Sequence, residues 1–200
     1  GAASFSGERN TMALLRTVEP TAEPVTLAEA KAHLRLDGTA EDGLLTGLIR
    51  AAREDLERAT GLALIDQHWR ITLDALPAHD TVALARHPVV EIVAVTAYGS
   101  EGEASLVSAD DYLADLNSRP ARLHFLERPD VARCMNGLEI DFRAGFGEAG
   151  TDVPDLLRRA MLLLVAHWYE FRSGFGPDEQ PVSYPPAYER MIASWRDRRL

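Results

Sequence analysis

Cysteine occurs once, at Cys134, and lysine once, at Lys31. A lone thiol can form no internal disulfide and no CxxC metal or redox site, so Cys134 is expected to be an inert, partly buried thiol. No run approaches the ~20 apolar residues that a membrane helix needs, and no basic segment followed by an apolar one marks a secretory signal. The expected compartment is the cytosol. The histidines, His33, His68, His79, His87, His124 and His167, never fall at HxxxH or HExxH spacing, which removes the common zinc helices. No GxSxG elbow presents a serine nucleophile. Asp110, Asp111 and Asp115 lack the spacing, the glycine and the closing glutamate of a calcium loop. Positive charge is scarce as well. A net charge of -10 argues against wrapping nucleic acid, which requires Lys and Arg to displace phosphate counterions. Neither a metal nor a cofactor is expected.

What the chain does contain is one strongly apolar helix. From Asp152 to Ser173, apolar residues recur at helical spacing. Leu157, Met161, Leu164, Trp168 and Phe171 form one stripe, and Leu156, Ala160 and Leu163 form a second beside it. Asp152 reads as the N-cap, Pro154 fits the first turn, and Asp155 suits the positive end of the helix dipole. The first stripe is expected to be the spine of a core. Arg158 and Arg159 read as a solvated turn of the same helix.

Two further helices are expected near the start. Thr26 and Glu29 have capping-box spacing ahead of a helix reaching Leu36, which Asp37-Gly38 would end. A second runs from Thr39 and Asp42 to Thr60, with Leu45, Leu48, Ile49, Ala52, Leu56 and Ala59 on one side and Gly61 as its stop. From Gln67 the period changes to two. Candidate strands follow at 67–73, 81–84, 89–98, 112–116, 122–126 and 138–143, separated by turn-rich pieces. Strands in series with no helices between them make antiparallel sheet in two small layers or a partial barrel. The expected fold is therefore α+β: mainly an α-helical bundle, made of an N-terminal helix pair and the long C-terminal helix, with an inserted antiparallel β domain. Its boundaries are an expression scar at 1–12, ahead of a native start at Met12, an extended arm at 13–24, bundle at 25–66 and 151–174, β domain at 67–150, and a loop with a C-terminal helix at 175–200.

Gly145-Phe146-Gly147-Glu148-Ala149-Gly150 satisfies GxGxxG between a strand and a helix, the arrangement of a dinucleotide site. In that motif the helix starts within the glycines, so that its amides meet the pyrophosphate. Here Thr151, Asp152 and Pro154 intervene, Asp152 and Asp155 oppose an anion, and no second strand supplies a ribose-binding acid. A glycine-rich turn is the favoured reading. The last quarter, by contrast, is rich in aromatics broken by Pro and Gly. Trp, Tyr and Arg dominate interface hot spots, which makes Tyr184, Tyr188, Trp195, Arg198 and Arg199 candidates for partner contact.

The order of these pieces resembles the head-to-tail connector, or neck adaptor, proteins of tailed phages and of phage-derived gene transfer agents. The likeness lies in PVTLAEAKAHLRLD (24–37), EDGLLTGLIRAAREDLERATG (41–61), FRAGFG (142–147) and VPDLLRRAMLLLVAHWYEFR (153–172). The resemblance implies a structural protein and not an enzyme. It implies a ring, dodecameric in the family, that docks under the portal protein and meets the next neck or tail component. DNA would pass through its lumen without specific binding. Assembly would take place in the bacterial host cytoplasm, and the finished protein would sit in the particle neck. By position, the portal contact would fall on Tyr184–Leu200, adding Arg196 and Leu200 to the residues above. Two other classes remain open: a different ring component, such as a stopper or tail terminator, and a nucleotide-binding enzyme using GFGEAG.

Overall fold

The computed structural model describes residues 12–171 and 184–196. The chain divides into two units. One takes the residues up to Glu19 together with His68–Ala144; the other takes Pro20–Gln67 and the chain from Gly145 onward.

In the second, helical unit, α1 (Leu27–Leu34) begins with the capping box that the sequence spells. The Thr26 hydroxyl accepts from the Glu29 amide at 3.2 Å, and the Glu29 carboxylate accepts from the Thr26 amide at 2.8 Å. It ends earlier than expected, because Arg35 itself adopts the left-handed conformation that closes the helix, and Gly38 belongs to the following turn. In that turn Lys31 reaches the Gly38 carbonyl and, at 2.7 Å, Asp42. The second helix, α2 (Asp42–Thr60), stops at Gly61, which has φ 74° and donates to the Glu57 carbonyl. Helix α3 (Asp155–Phe171) starts later than its sequence suggests. Asp152 closes a short 3-10 turn, accepting from the Ala149 amide at 2.9 Å, and the carbonyl of Pro154 opens the α3 ladder. After α3 the next described helix is α4 (Pro186–Ile192), followed by a 3-10 turn at Ala193–Trp195.

The helical core gathers Ala30 of α1, Ile49 and Leu56 of α2, Leu157, Met161 and Leu164 of α3, and Ile192 of α4. A fully buried side chain of this kind contributes about 1.5–3 kcal/mol. The segment Leu62–Ile65, which carries no helix or strand period, is also wholly buried. The spine stripe departs from expectation at its far end, where Trp168 is half-buried against the core and Phe171 is 49 % exposed.

Among the described residues, eight strands are present in or at the border of the β unit. These are β1 (Met12–Val18), β2 (Gln67–Leu73), β3 (Thr81–Leu84), β4 (Val89–Tyr98), β5 (Ala104–Leu106), β6 (Tyr112–Asp115), β7 (Ala121–Phe125) and β8 (Leu138–Ala144). They make a five-stranded sheet ordered β1-β2-β8-β4-β5 and a three-stranded sheet ordered β3-β7-β6. Alternation is clean in β2, β7 and β8, where every second residue is buried. Trp69, Ile71, Ile140 and Phe142 from the larger sheet, with Val82, Leu123 and Phe125 from the smaller, supply the buried side chains of this unit.

Three expectations need correction. The fold is α+β but not mainly a helical bundle: among the described residues four helices stand beside eight strands in two antiparallel sheets, 35% helix against 28% strand. The arm expected at 13–24 is divided, since Met12–Val18 pairs with β2 as an edge strand whereas Pro20–Pro24 belongs to the helical unit. The glycine loop from Gly145, expected at the end of the β domain, also belongs to the helical unit. The visible helical periods drew weight toward helices because short strands carry fewer residues per periodic signal.

Candidate interaction surfaces

Arg53 is only 2 % exposed at the centre of the helical unit. Its Nε donates to Glu23 at 2.8 Å and its Nη1 to Glu57 at 3.1 Å. Glu57 in turn accepts from the Leu64 amide at 2.9 Å and from the Gln67 side-chain amide at 2.8 Å. A buried segment without secondary structure needs partners for its backbone polar groups, and this carboxylate provides one.

An open cleft of 610 Å³ in this unit is lined by Pro24, Val25, Leu27, Ile49, Gly150 and Thr151, with Glu29 and Arg158 at its rim. Arg158, expected to be solvated, instead donates to the Pro24 carbonyl at 3.1 Å and pairs with Glu29. Hydrogen bonding from the Thr26 amide is the main reason why the Glu29 carboxyl is held below its usual value. It is therefore a carboxylate near neutrality and a poor general acid.

The glycine loop has a different use from nucleotide binding. A Cβ on Gly145 would lie 2.5 Å from the backbone of Asp66, one on Gly147 2.3 Å from the Asp152 carboxylate, and one on Gly150 2.8 Å from the Pro24 carbonyl. The Asp66 amide donates to Gly147 at 2.9 Å. These glycines admit neighbouring protein chain, and the Asp152 carboxylate, set against Gly147 and accepting from the Ala149 amide, puts negative charge where a phosphate would need donors. The nucleotide reading is thereby set aside.

The C-terminal candidates separate. Tyr188, expected to face a partner, is 1 % exposed and lies in this chain's own core; its hydroxyl donates to Asp55 at 3.0 Å. Tyr184 is half-buried, donates to the same carboxylate at 2.9 Å, and stacks on Tyr188 with ring centroids 5.5 Å apart. Burial, followed by the Asp55 charge, pushes the Tyr188 phenol far above its usual value, and burial raises Tyr184 as well. Trp195 is half-buried, edge-on to Phe146 at 6.0 Å, and Arg196 is exposed and paired with Glu189 at 2.5 Å. Arg198, Arg199 and Leu200 lie outside the described residues. No sequence signal joins Tyr188 to Asp55, which lies 133 residues away.

In the β unit, the solvent side of the larger sheet carries a charge lattice. Arg70 grips Asp141 through two bonds of 2.8 Å and reaches Glu139 at 3.1 Å, Tyr98 donates to Glu139 at 3.0 Å, and Arg143 pairs with Glu91 at 3.1 Å. On the opposite side the guanidinium of Arg86 lies 4.5 Å, and that of Arg16 5.7 Å, from the Trp69 ring centre. Exposed apolar side chains stand at both edges of this sheet, Leu15 and Val18 on β1 and Leu106 on β5. Sequence reasoning missed the β1 edge, although MALLRTV has the apolar content of a short strand. Cys134, expected to be partly buried, is exposed. Among the described residues no cluster of His, Cys, Asp and Glu could hold a metal ion, and no helix is long and apolar enough to cross a membrane.

The family model of the phage gp6-like head-tail connector proteins matches residues 24–118. No curated protein matches the chain in sequence. Among solved structures, a chain in the neck of an empty GTA particle computed with C6 symmetry superposes with a TM-score of 0.81 at 28% identity, covering 94% of this chain and 97% of that one. A chain in the virion of a native gene transfer agent (GTA) particle gives 0.77 at 28%, over 94% and 96%. One in the neck of a native GTA particle computed with C12 symmetry gives 0.74 at 28%, over 95% and 97%.

Proposed function

We propose that the chain is a neck adaptor of the phage head-tail connector kind, which its residues 24–118 match and whose likeness extends to chains of gene transfer agent necks, and that it forms a ring of identical copies, twelve in number, seated between the portal and the next neck or tail component. The observation that carries the reading is the superposition on chains of gene transfer agent necks along nearly the whole length of both. The particle neck is the site of action, reached after assembly in the host cytoplasm. No catalytic step is involved. DNA passes through the lumen, and a chain with a net charge of -10 suits a channel in which DNA must slide without being held.

Contact with the portal falls on the end of the chain, Trp195, Arg196, Arg198, Arg199 and Leu200. Tyr184 and Tyr188 act one step back, fastening α4 to Asp55. A basic terminus on an acidic chain fits an acidic groove. The test is co-sedimentation with purified portal rings. The full chain is expected to travel with the rings, and a chain ending at Arg196 to keep its fold and lose most of that association. Equal co-sedimentation of the two would remove the terminal residues from the contact; failure of the full chain to associate would remove the portal as partner.

A further inference from the structure

Among the described residues the two edges of the five-stranded sheet are open, and nothing among them pairs with the outer side of β1 or of β5. An exposed edge offers a row of unused amides and carbonyls, and proteins ordinarily blunt it with proline, lysine, a bulge or a very short strand. β1 has neither proline nor lysine. Its single charge, Arg16, turns to Trp69 and to Glu19 at 3.0 Å. Its bulge lies between Arg16 and Val18, leaving Met12–Arg16 in regular register. Leu15 is 62 % exposed, and Leu106 on β5, at 76 %, has the highest exposure of any large apolar residue described. Edge strands are short elsewhere too, three residues in β5 and four each in β3 and β6, but on β6 a charge stands guard, Asp115, tied to Arg122 at 2.6 Å, where β5 presents Leu106.

Building on the ring reading above, we propose that β5 of one copy pairs with β1 of the next, so that the five-stranded sheet continues from subunit to subunit. Three features select a second copy as the occupant. The faces agree: Leu15 lies opposite Arg70, Leu106 lies opposite Thr96, and Thr96 lies opposite Glu139. Arg70 and Glu139 form an ion pair on the solvent side, and directly opposed residues share a face, so Leu15 and Leu106 project from the same side. A joint between the edges sets these two side chains next to one another and removes both from water. The edges also differ from each other, giving a heterologous contact, the kind that closes into a ring when its rotation permits. Strand direction supplies the third. Five strands, each antiparallel to its neighbour, leave β1 and β5 running the same way, so a sheet carried forward by rotation has a parallel joint. With three residues in β5 the joint holds few hydrogen bonds, as suits a ring completed on a template.

Paired cysteines test this in particles assembled in the producing cells. Leu15→Cys with Leu106→Cys, in a Cys134→Ser background, is expected to give a ladder of disulfide-linked copies on non-reducing gels, collapsing on reduction, while each single-cysteine variant stays unlinked. Ala13→Cys with Leu106→Cys covers a register displaced by two residues. All three positions are exposed, and an unchanged circular dichroism spectrum verifies the fold. Absence of a ladder from both pairs, with rings visible in the necks by electron microscopy, overturns the strand joint and leaves the ring reading standing. Dimers from Leu15→Cys alone overturn it in favour of a symmetric β1 contact. Particle necks without the chain remove both readings together.

Discussion

Arg53 and Glu57 meet one helical turn apart, 3.1 Å from nitrogen to oxygen, with both side chains buried in the helical unit. The pair does more than neutralise itself, because Glu57 also holds the Leu64 amide and the Gln67 side chain. Arg53→Ala strands a buried carboxylate, for which a loss of ~3–5 kcal/mol is expected, read as a lowered urea midpoint. The double variant Arg53→Met, Glu57→Leu should not recover wild-type stability, since it orphans the Leu64 amide. Full recovery would show that the carboxylate is dispensable to the 62–65 segment.

Gly145→Ala places a methyl group 2.5 Å from the Asp66 backbone. Overpacking of this kind costs about 1–3 kcal/mol, and thermal unfolding should report it. If the substitution proves neutral, the glycine is not needed for close approach of the two segments.

Stability should fall in alkali. The Tyr188 phenol titrates above its unfolded value because burial, and after it the Asp55 charge, disfavours the phenolate. A raised value means that the contribution is complete below the unfolded pKa of about 10 and is lost as pH rises beyond it, when the unfolded chain releases a proton that the native chain retains. Tyr184 shifts in the same direction. Urea midpoints of wild type are therefore expected to drop between about pH 9 and 11, and Tyr188→Phe to flatten that drop while being less stable at neutral pH through loss of its bond to Asp55. A slope unchanged in the variant would place the alkaline sensitivity elsewhere.

Two leucines of α3 should respond in opposite ways to aspartate. Leu164 is fully buried, so Leu164→Asp introduces an unpaired charge into the core and is expected to prevent folding. Leu156 is exposed, and Leu156→Asp should alter stability by no more than about 0.5 kcal/mol. A soluble, folded Leu164→Asp monomer would mean that this face serves assembly.

Local signals carried much of the fold. The Thr26–Glu29 box, the Gly61 stop and the alternation of β2 and β8 are written in adjacent residues, and the structure has each of them. Relationships that join distant residues were not legible. Tyr188 reads as an interface aromatic because its partner Asp55 lies in another helix, and Met12–Val18 reads as an arm because its strand character comes from β2. Helix termini moved for local reasons that composition hides: Arg35 takes the left-handed turn that Gly38 was expected to provide, and Asp152 caps the turn before α3 in place of the helix itself. Most of the open candidate surface, the two sheet edges, depends on topology that no single stretch encodes.

The interleaving of the two units along the chain sets an order for biosynthesis. Helices α1 and α2 leave the ribosome directly after β1, but the α3 residues that cover their apolar side follow after about 95 residues of intervening chain, from Thr60 to Asp155. At ~5–20 residues per second that is a wait of roughly 5–20 s. The β unit, complete at Ala144, can close within this interval, while the first two helices still expose Ile49 and Leu56. A nascent chain of this protein is thus most vulnerable to aggregation and to chaperone capture at α1 and α2, through the interval in which the sheet unit can finish ahead of the helical one.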